Sequence, residues 1–549
     1  MTTAHDDAAP RLAIIGLGPR ALGALESLLA RAGTDALRID LFDPGAWPGA
    51  GPNFRPDETP LCLLNIPLRL IDIGRADRDG AAFGDFRDWL GAAGRDDERF
   101  PARAELGACL AARMAALVAG APASVQIVHH ARHVRRILRD GQGWWLDAGG
   151  DPEGPYAEIL LSQGQPQTAP DDQLARWQEH ARGCGADLVA AYPARDLLAA
   201  AQGWAGRQVG IRGLGLSTLD ALRMLTCGLG GRFEDGRYHP SGREPARILP
   251  FSLDGHPPVP KPATADLDRR FDPEAEETAA FLQAVRAAVD SRAEAALRGV
   301  ADAFLGPALR ILRETGGDDD ARRLQDWLDS ECAAPGSQET RPVAEALRAG
   351  IAEARGRVPP STGYVVGQLC RKWQDALRQG FNPAPAAPAT AAALIGFDEG
   401  LKRYSYGPPV ASAEDLLALI EAGLVDPRAA ADPDIRLTGT GWQLVEDDLS
   451  AGITAMVDAV LPSPDLSRLT DPLMADLVAQ GRTVALHDRL GAQTLPDGRL
   501  VGADGRPQPG LCLLGRLAQG SVIAVDSIHD CFGAAAARWA EGVLGRLRP

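Results

Sequence analysis

The stretch RLAIIGLGPRALGALESLLARAG, residues 11–33, decides the fold. Its first five residues are mostly apolar and end in two β-branched side chains, a pattern typical of a buried parallel strand. From Ala21 onward, leucine and alanine recur at helical spacing. A strand, a glycine-containing turn and a helix therefore follow one another, which is the beginning of a β-α-β unit.

The turn itself, GLGPRA, fits the pattern G-x-G-x-x-A of dinucleotide-binding units. Gly16 permits the tight turn, Gly18 leaves room for a pyrophosphate beside the backbone, and Ala21 lets the helix pack closely on the strand. Pro19 costs little at the first helical position, and the helix amino terminus attracts phosphate. A second strand, LRIDLFD, ends in Asp43, where an acidic residue is expected to bond the ribose hydroxyls.

The same order returns in GRQVGIRGLGLSTLDALRMLTCGLGGRFE. Gly213 and Gly215 form the predicted turn, and Thr218 takes the place of the third glycine. No aspartate closes the short segment GRFE, but Arg232 stands near that position and can accept a 2′-phosphate, which favours NADPH over NADH. An ordinary surface arginine is the alternative interpretation. Two nucleotide turns predict a tightly held flavin, FAD, and a nicotinamide hydride donor.

Length and charge exclude several classes of protein. The 549 residues suggest two or three domains, and a net charge of -16 disfavours nucleic-acid and anionic membrane partners. The first residues lack the basic and apolar segments of a signal peptide, and no apolar run reaches the ~18 residues of a membrane span. None of the eight cysteines forms a C-x-x-C pair. We therefore expect a cytoplasmic enzyme without a redox-active cysteine pair.

Three histidines, His129, His130 and His133, raise the question of a metal site. Neighbouring histidines on a strand point to opposite faces, and no cysteine or carboxylate cluster accompanies them, so we predict no metal. The sequence also lacks a G-x-S-x-G elbow and a P-loop.

Other segments indicate how the chain is organised. The loop 44–74 is rich in glycine and proline, and Asn65 and Arg69 are its candidate polar contacts. A proline-punctuated connector covers 236–262, a helical pattern follows, and 382–392 resembles a linker.

Several motifs together resemble bacterial FAD/NAD(P)-binding proteins: IIGLGPRALGALESLL, DPGAWPGAG, LLNIPLR, FPARAELGACL, GLGLSTLDALRMLT, GGRF, HPSGREP and LLGRLAQGS. That family includes FAD-dependent urate hydroxylase and aspartate N-monooxygenase, and it is similar to the class B flavin monooxygenases. The resemblance implies an α/β fold with two Rossmann-type dinucleotide-binding domains and a helical insert. Residues 1–180 would begin the FAD domain, 181–262 form the NAD(P) domain, 263–430 the insert, and 431–549 complete the FAD domain.

The resemblance also implies site residues. FAD would be held by Gly16, Gly18, Pro19, Arg20, Ala21 and Asp43, with Val134 at the adenine and Gly164, Gly515, Gly520 and Ser521 near the isoalloxazine. NAD(P)H would be held by Gly213, Gly215, Ser217 and Thr218. Asn65 would lie over the flavin, where it could hydrogen-bond a flavin hydroperoxide, which makes it the candidate catalytic residue. The turn Ser162–Gly164 reads SQG where relatives have A-T-G.

The expected activity is an NAD(P)H-dependent flavin monooxygenase that uses O2 to hydroxylate a small polar metabolite. Urate is ranked first as substrate. The alternatives are an N-hydroxylase of an aspartate- or ornithine-like amino acid, and a flavin-dependent reductase or dehydrogenase without oxygen insertion. A non-enzymatic redox-sensing module is a further reading, and the sequence leaves the oligomeric state open.

Overall fold

The computed structural model describes residues 9–74, 84–91, 94, 96–428, 430–446 and 449–548. Its strands are β1 (Arg11–Ile15), β2 (Leu37–Phe42), β3 (Val125–His130), β4 (Arg136–Arg139), β5 (Trp144–Asp147), β6 (Glu153–Tyr156), β7 (Glu158–Leu161), β8 (Asp187–Ala190), β9 (Gln208–Arg212), β10 (Arg232–Glu234), β11 (Arg237–His239), β12 (Arg247–Phe251), β13 (Asp434–Thr438), β14 (Gly441–Glu446), β15 (Leu449–Ile453), β16 (Ala455–Asp458), β17 (Arg499–Val501) and β18 (Pro507–Leu513).

Its helices are α1 (Pro19–Ala32), α2 (Phe86–Leu90), α3 (Arg103–Ala119), α4 (Asp172–Cys184), α5 (Ala194–Ala201), α6 (Leu216–Leu225), α7 (Ala265–Arg269), α8 (Ala275–Val289), α9 (Ala293–Asp302), α10 (Leu305–Thr315), α11 (Ala321–Ala333), α12 (Val343–Ala354), α13 (Thr362–Lys372), α14 (Gln374–Phe381), α15 (Pro388–Ser405), α16 (Val410–Glu421), α17 (Pro472–Ala479), α18 (Ile528–Cys531) and α19 (Ala534–Leu547). Within the described ranges, no helix is long and apolar enough to cross a bilayer.

The first sheet joins the two ends of the chain. Its strand order is β17-β18-β7-β1-β2-β3, and all neighbours are parallel except β17 and β18. Helices α1 and α19 pack together on one face, and the meander β4-β5-β6 covers the other. The carboxyl-terminal strand β18 thus completes a sheet that β1 begins, and the predicted α/β fold with a split FAD domain is confirmed.

The second sheet is parallel, with the strand order β12-β9-β16-β8. The sequence predicts that residues 431–549 complete the FAD domain. Strand β16, near the start of this segment, lies instead between β9 and β8 of the second sheet, and the later strands β17 and β18 complete the first sheet. Met456 of β16 packs over Gly210 of β9, where a Cβ would lie 2.7 Å from its sulfur. Helix α4, which spans the predicted boundary at residue 180, also packs on the second sheet.

The helical region runs from α7 to α16 and is inserted into the second domain. Its core contains an aromatic cluster in which Phe281 and Trp373 stack with ring centroids 4.3 Å apart. The predicted linker 382–392 is partly helical, since α15 begins at Pro388. Proline is well tolerated at the first position of a helix.

Candidate functional site

The first glycine turn packs against the end of β7. Gly16 has φ +88°, and a Cβ there would lie 2.8 Å from the Cα of Gln163. The hydroxyl of Ser162 donates to the carbonyl of Gly16 at 2.8 Å. Gly164 follows with φ +69° and nothing within 4 Å of a would-be Cβ. The SQG segment therefore lies directly beside the turn.

The mouth of α1 is lined by two glycines. Gly18 is the N-cap without a side-chain cap, and no acidic residue lies in the first turn. A Cβ on Gly18 would lie 3.7 Å from the Cα of Gly51, so the two backbones face each other. Pro19 opens the helix and Ala21 is fully buried beneath it. Free helix N–H groups with no competing side chain fit a diphosphate.

Asp43 closes the first turn from the end of β2. Its carboxylate accepts hydrogen bonds from the backbone N–H of Leu17 at 2.7 Å and of Gly45 at 2.6 Å. The side chain is only half-buried, so it remains within reach of a ligand at the carboxyl edge of the sheet. Its ribose contact stays a prediction.

The guanidinium of Arg20 is held by the carboxyl-terminal segment, and the contact of this residue with FAD stays a prediction. Its buried guanidinium donates to the carbonyl of Asp530 at 2.5 Å and lies 2.6 Å from the carboxylate of the same residue. Burial alone lowers the pKa of Arg20, but the charge of Asp530 raises it above its ordinary value. Arg20 thus joins α1 to the carboxyl-terminal segment.

The carboxyl-terminal loop follows β18 at the same edge. Gly515 has φ +106°, and a Cβ there would lie 3.7 Å from Nε of Arg20. Gly520 has φ +111°. The hydroxyl of Ser521 accepts from the N–H of Thr494 at 2.9 Å and donates to the carbonyl of Ala492 at 3.1 Å, so it stabilises the loop itself.

Val134 and the histidines lie at the other end of the first sheet. Val134 is buried in the core beneath β2, and its adenine contact stays a prediction. Nε2 of His129 lies 3.1 Å from the carbonyl of Asp43, and Nε2 of His130 lies 2.8 Å from Oδ1 of Asp40. Among the described residues, no three potential ligands form a metal cluster.

The second glycine turn has a more open mouth. The N–H of Gly213 donates to the carbonyl of Phe251 at 2.8 Å, at the end of β12. Gly215 is exposed and caps α6 without a side-chain bond, and nothing lies within 4 Å of a would-be Cβ. Thr218 occupies the position of the third glycine and is buried. Its hydroxyl donates to the carbonyl of Gly213 at 2.8 Å and so ties the helix to the turn. Ser217, in the first turn of α6, is partly exposed.

The sequence places Arg232 near the end of the second strand of the NAD(P) unit, but in the structure this residue lies outside the second sheet. Among the described residues, strand β10 pairs only with β11, and the strand beside β9 after α6 is β12. The side chain of Arg232 is 67% exposed and lies 3.3 Å from Glu234. The residue after the true second strand is Ser252, whose hydroxyl donates to Asp254 at 2.7 Å.

The loop that carries Asn65 lies between the two nucleotide domains. Arg103, at the start of α3, donates to the carbonyl of Leu63 at 3.3 Å and to the carboxylate of Asp220 in α6 at 2.6 Å. Asn65 is partly exposed. Arg69 turns away to Asp268 in the helical region, 3.0 Å distant. Asn65 therefore belongs to the junction, and its catalytic role stays a prediction.

The helical region meets the carboxyl-terminal loop through polar side chains that sequence reasoning missed. Arg378 donates to the carbonyl of Ala524 at 3.0 Å, and the side-chain oxygen of Asn382 accepts from the N–H of Ile523 at 2.9 Å. Lys402 donates to the carboxylate of Asp526 at 2.7 Å. No motif in the sequence predicts a role for these residues. The sequence shows only that a few polar side chains occur among the apolar residues of α14 and α15.

Asp398 is a buried carboxyl at this junction. Its Oδ1 accepts a 3.3 Å hydrogen bond from Gln374, whose own oxygen accepts from the hydroxyl of Tyr406 at 3.2 Å. Burial is the main cause that raises the pKa of Asp398 to about 6, and Lys402 opposes it. The carboxyl therefore changes charge near neutral pH.

Replacing Asp398 by asparagine is expected to remove part of the pH dependence of stability. Ionisation of the buried carboxyl is unfavourable in the folded state, whose pKa of about 6 exceeds the unfolded value of ~3.9. Wild type should therefore lose roughly 1 kcal/mol relative to Asp398→Asn as the pH rises from about 5 to 7.5. Urea unfolding of both proteins across this range measures the difference, and parallel curves would contradict it.

Two glycine turns, each between a parallel strand and a helix, fit an oxidoreductase that binds FAD and NAD(P)H. Residues 13–166 match the FAD-NAD(P)-binding family model, in agreement with the resemblance and with the predicted FAD and NAD(P) cofactors. The chain is 28% identical to nitrosuccinic acid synthase of Aspergillus oryzae, covering 90% of this chain and 86% of that protein. It is 28% identical to a nitrosuccinate-forming L-aspartate N-monooxygenase of Streptomyces davaonensis, covering 90% of each.

Among solved structures, the chain is similar to the ornithine hydroxylase of Pseudomonas aeruginosa, with a TM-score of 0.49 and 12% identity, covering 98% of this chain and 100% of that one. The ornithine N-hydroxylase of Kutzneria sp. 744 gives a TM-score of 0.47 at 13% identity, covering 98% and 99%.

Proposed function

We propose that the protein is an NAD(P)H-dependent flavin monooxygenase that hydroxylates the amino group of a small amino acid, with L-aspartate as the leading substrate. The observation that carries the proposal is the pair of uncapped, glycine-lined helix mouths in one chain. The substrate class rests on the aspartate N-monooxygenase relatives, which align along 90% of the chain. These relatives give no support to urate, and they favour the alternative of an amino-acid N-hydroxylase.

The residues present fit both cofactors, which would supply hydride transfer and activation of O2. The N–H groups at the mouth of α1, beside Gly18, would bind the FAD diphosphate, and those of α6 beyond Gly215 would bind the diphosphate of NAD(P)H. The helical region packs on residues 523–526 through Arg378, Asn382 and Lys402. This packing would exclude water from the reacting groups, which protects a reactive oxidant from unproductive loss.

The test measures NADPH consumption and product by the FAD-loaded protein with L-aspartate, L-ornithine and urate in turn. We expect L-aspartate to stimulate NADPH consumption and the hydroxylated nitrogen to carry label from 18O2. Stimulation by urate alone would reverse the substrate assignment. Flavin reduction by NADPH with no labelled product from any of the three would favour a reductase.

A further inference from the structure

Ala524, which follows Ser521 in the carboxyl-terminal loop, lies in the left-handed region of backbone conformation with φ +56°. Among the described residues, the other non-glycine residues with positive φ are Asp235, Asp432 and Arg489, and all three are exposed. Ala524 is 3% exposed and has no polar side chain that could compensate locally. A left-handed alanine costs free energy because its Cβ crowds the following carbonyl group, so contacts from elsewhere must hold it.

Two buried side chains of the helical region hold the backbone at this point. Oδ1 of Asn382 accepts a hydrogen bond from the N–H of Ile523 at 2.9 Å, and Nε of Arg378 donates to the carbonyl of Ala524 at 3.0 Å. Arg378 lies in α14, and Asn382 directly follows the last residue of this helix. The end of α14 thus anchors the backbone immediately before the strained residue and at the strained residue itself.

The strained segment is continuous with the loop that is predicted to lie near the isoalloxazine. The N–H of Gly520 donates to the carbonyl of Val522 at 3.0 Å, and the N–H of Val522 donates to the carbonyl of Ala518 at 3.1 Å. On the other side of the strained residue, Nη2 of Arg20 donates to the carbonyl of Val525 at 3.4 Å. A change of backbone conformation between these two anchored parts would therefore displace the hydrogen-bonded loop.

We propose that Arg378 and Asn382 are positioning residues for the flavin. They hold Ala524 in its left-handed conformation and thereby fix the loop that contains Gly515 and Gly520. Without them, alanine favours the right-handed and extended regions, so only a fraction of the molecules would present the loop in the conformation that binds FAD. The apparent affinity for FAD falls by that fraction. This inference rests on the flavin-binding part of the proposed function and is independent of the substrate.

The test measures the dissociation constant of FAD by ultrafiltration of the FAD-loaded, full-length protein, with free flavin determined by fluorescence. Asn382→Ala removes the acceptor for the N–H of Ile523 and is expected to weaken FAD binding about tenfold. Arg378→Met removes the donor to the carbonyl of Ala524 and should weaken FAD binding as well. Ala524→Gly alone should bind FAD as wild type does, because glycine adopts positive φ without strain. Combined with Asn382→Ala, it should restore most of the lost affinity.

Thr390→Ala is the matched control. It also removes a buried hydrogen bond from a side chain to the backbone, since the hydroxyl of Thr390 donates to the carbonyl of Ser291 at 2.8 Å. This bond joins α15 to the segment between α8 and α9, within the helical region. The FAD affinity of Thr390→Ala should therefore equal that of wild type.

Two results would overturn the proposal. One is unchanged FAD affinity in both Asn382→Ala and Arg378→Met. The other is a loss of affinity that Ala524→Gly does not restore, or that Thr390→Ala shares, because either would assign Asn382 a general role in stability. The proposed function fails separately: the predicted pattern of FAD affinities in a protein that hydroxylates no amino acid would refute the substrate assignment alone.

Discussion

Replacing Gly18 by alanine is expected to give a folded protein that no longer retains FAD. The new Cβ would lie 3.7 Å from the Cα of Gly51, an ordinary contact that the fold accepts. The same methyl group would keep the FAD diphosphate from approaching the backbone at the mouth of α1 closely. We expect FAD affinity to fall roughly 100-fold, equivalent to ~2.7 kcal/mol. Flavin absorbance per protein after purification, with circular dichroism as the check on folding, measures the effect.

Gly215→Ala is the matched control for this variant. It changes the same position of the second glycine turn, where nothing lies within 4 Å of the added Cβ. That protein should remain yellow, because the first turn is untouched, but its flavin should be reduced by NADPH at least ~10-fold more slowly at low NADPH. Full FAD retention by Gly18→Ala, or loss of flavin from Gly215→Ala, would contradict the assignment of the two turns.

Replacing Asp530 by asparagine is expected to lower the free energy of unfolding by ~3–5 kcal/mol. Asp530 is 5% exposed and its carboxylate lies 2.6 Å from Nη2 of Arg20 and 3.7 Å from Nε of Arg378. Asparagine preserves the shape of the side chain but leaves buried guanidinium groups without their counter-charge. Chemical denaturation at constant pH, with FAD removed from both proteins, measures the change.

Glu541→Gln is the control, since it breaks another ion pair between α1 and the carboxyl-terminal segment, this one with α19. Its partner is Arg31, and both side chains are largely solvated, at 37% and 64% exposure. Exposed pairs contribute ~0–1 kcal/mol, so this variant should unfold almost as wild type does. Equal losses in the two variants would show that Asp530 does no more than a surface carboxylate.

The two glycine turns could be predicted because they are local. The roles of Gly16, Gly18 and Ala21 depend only on the strand before them and the helix after them. The residues around the turn are therefore enough to predict those roles. The confirmed α/β fold follows from the same periodicity. Arg20 shows the limit of local prediction, because its guanidinium binds Asp530, 510 residues away, and no pattern in consecutive residues indicates that contact.

The sequence by itself determined that two nucleotide-binding units exist, since helix mouths, strand periodicity and small residues act within about 30 residues of chain. Only the tertiary structure decided which strands complete each sheet. Strand β16 lies between β9 and β8, with the side chain of Met456 over Gly210, and the short segment with Arg232 folds back on β11 instead of joining the sheet. Pairing between distant strands depends on three-dimensional fit, which no local pattern encodes.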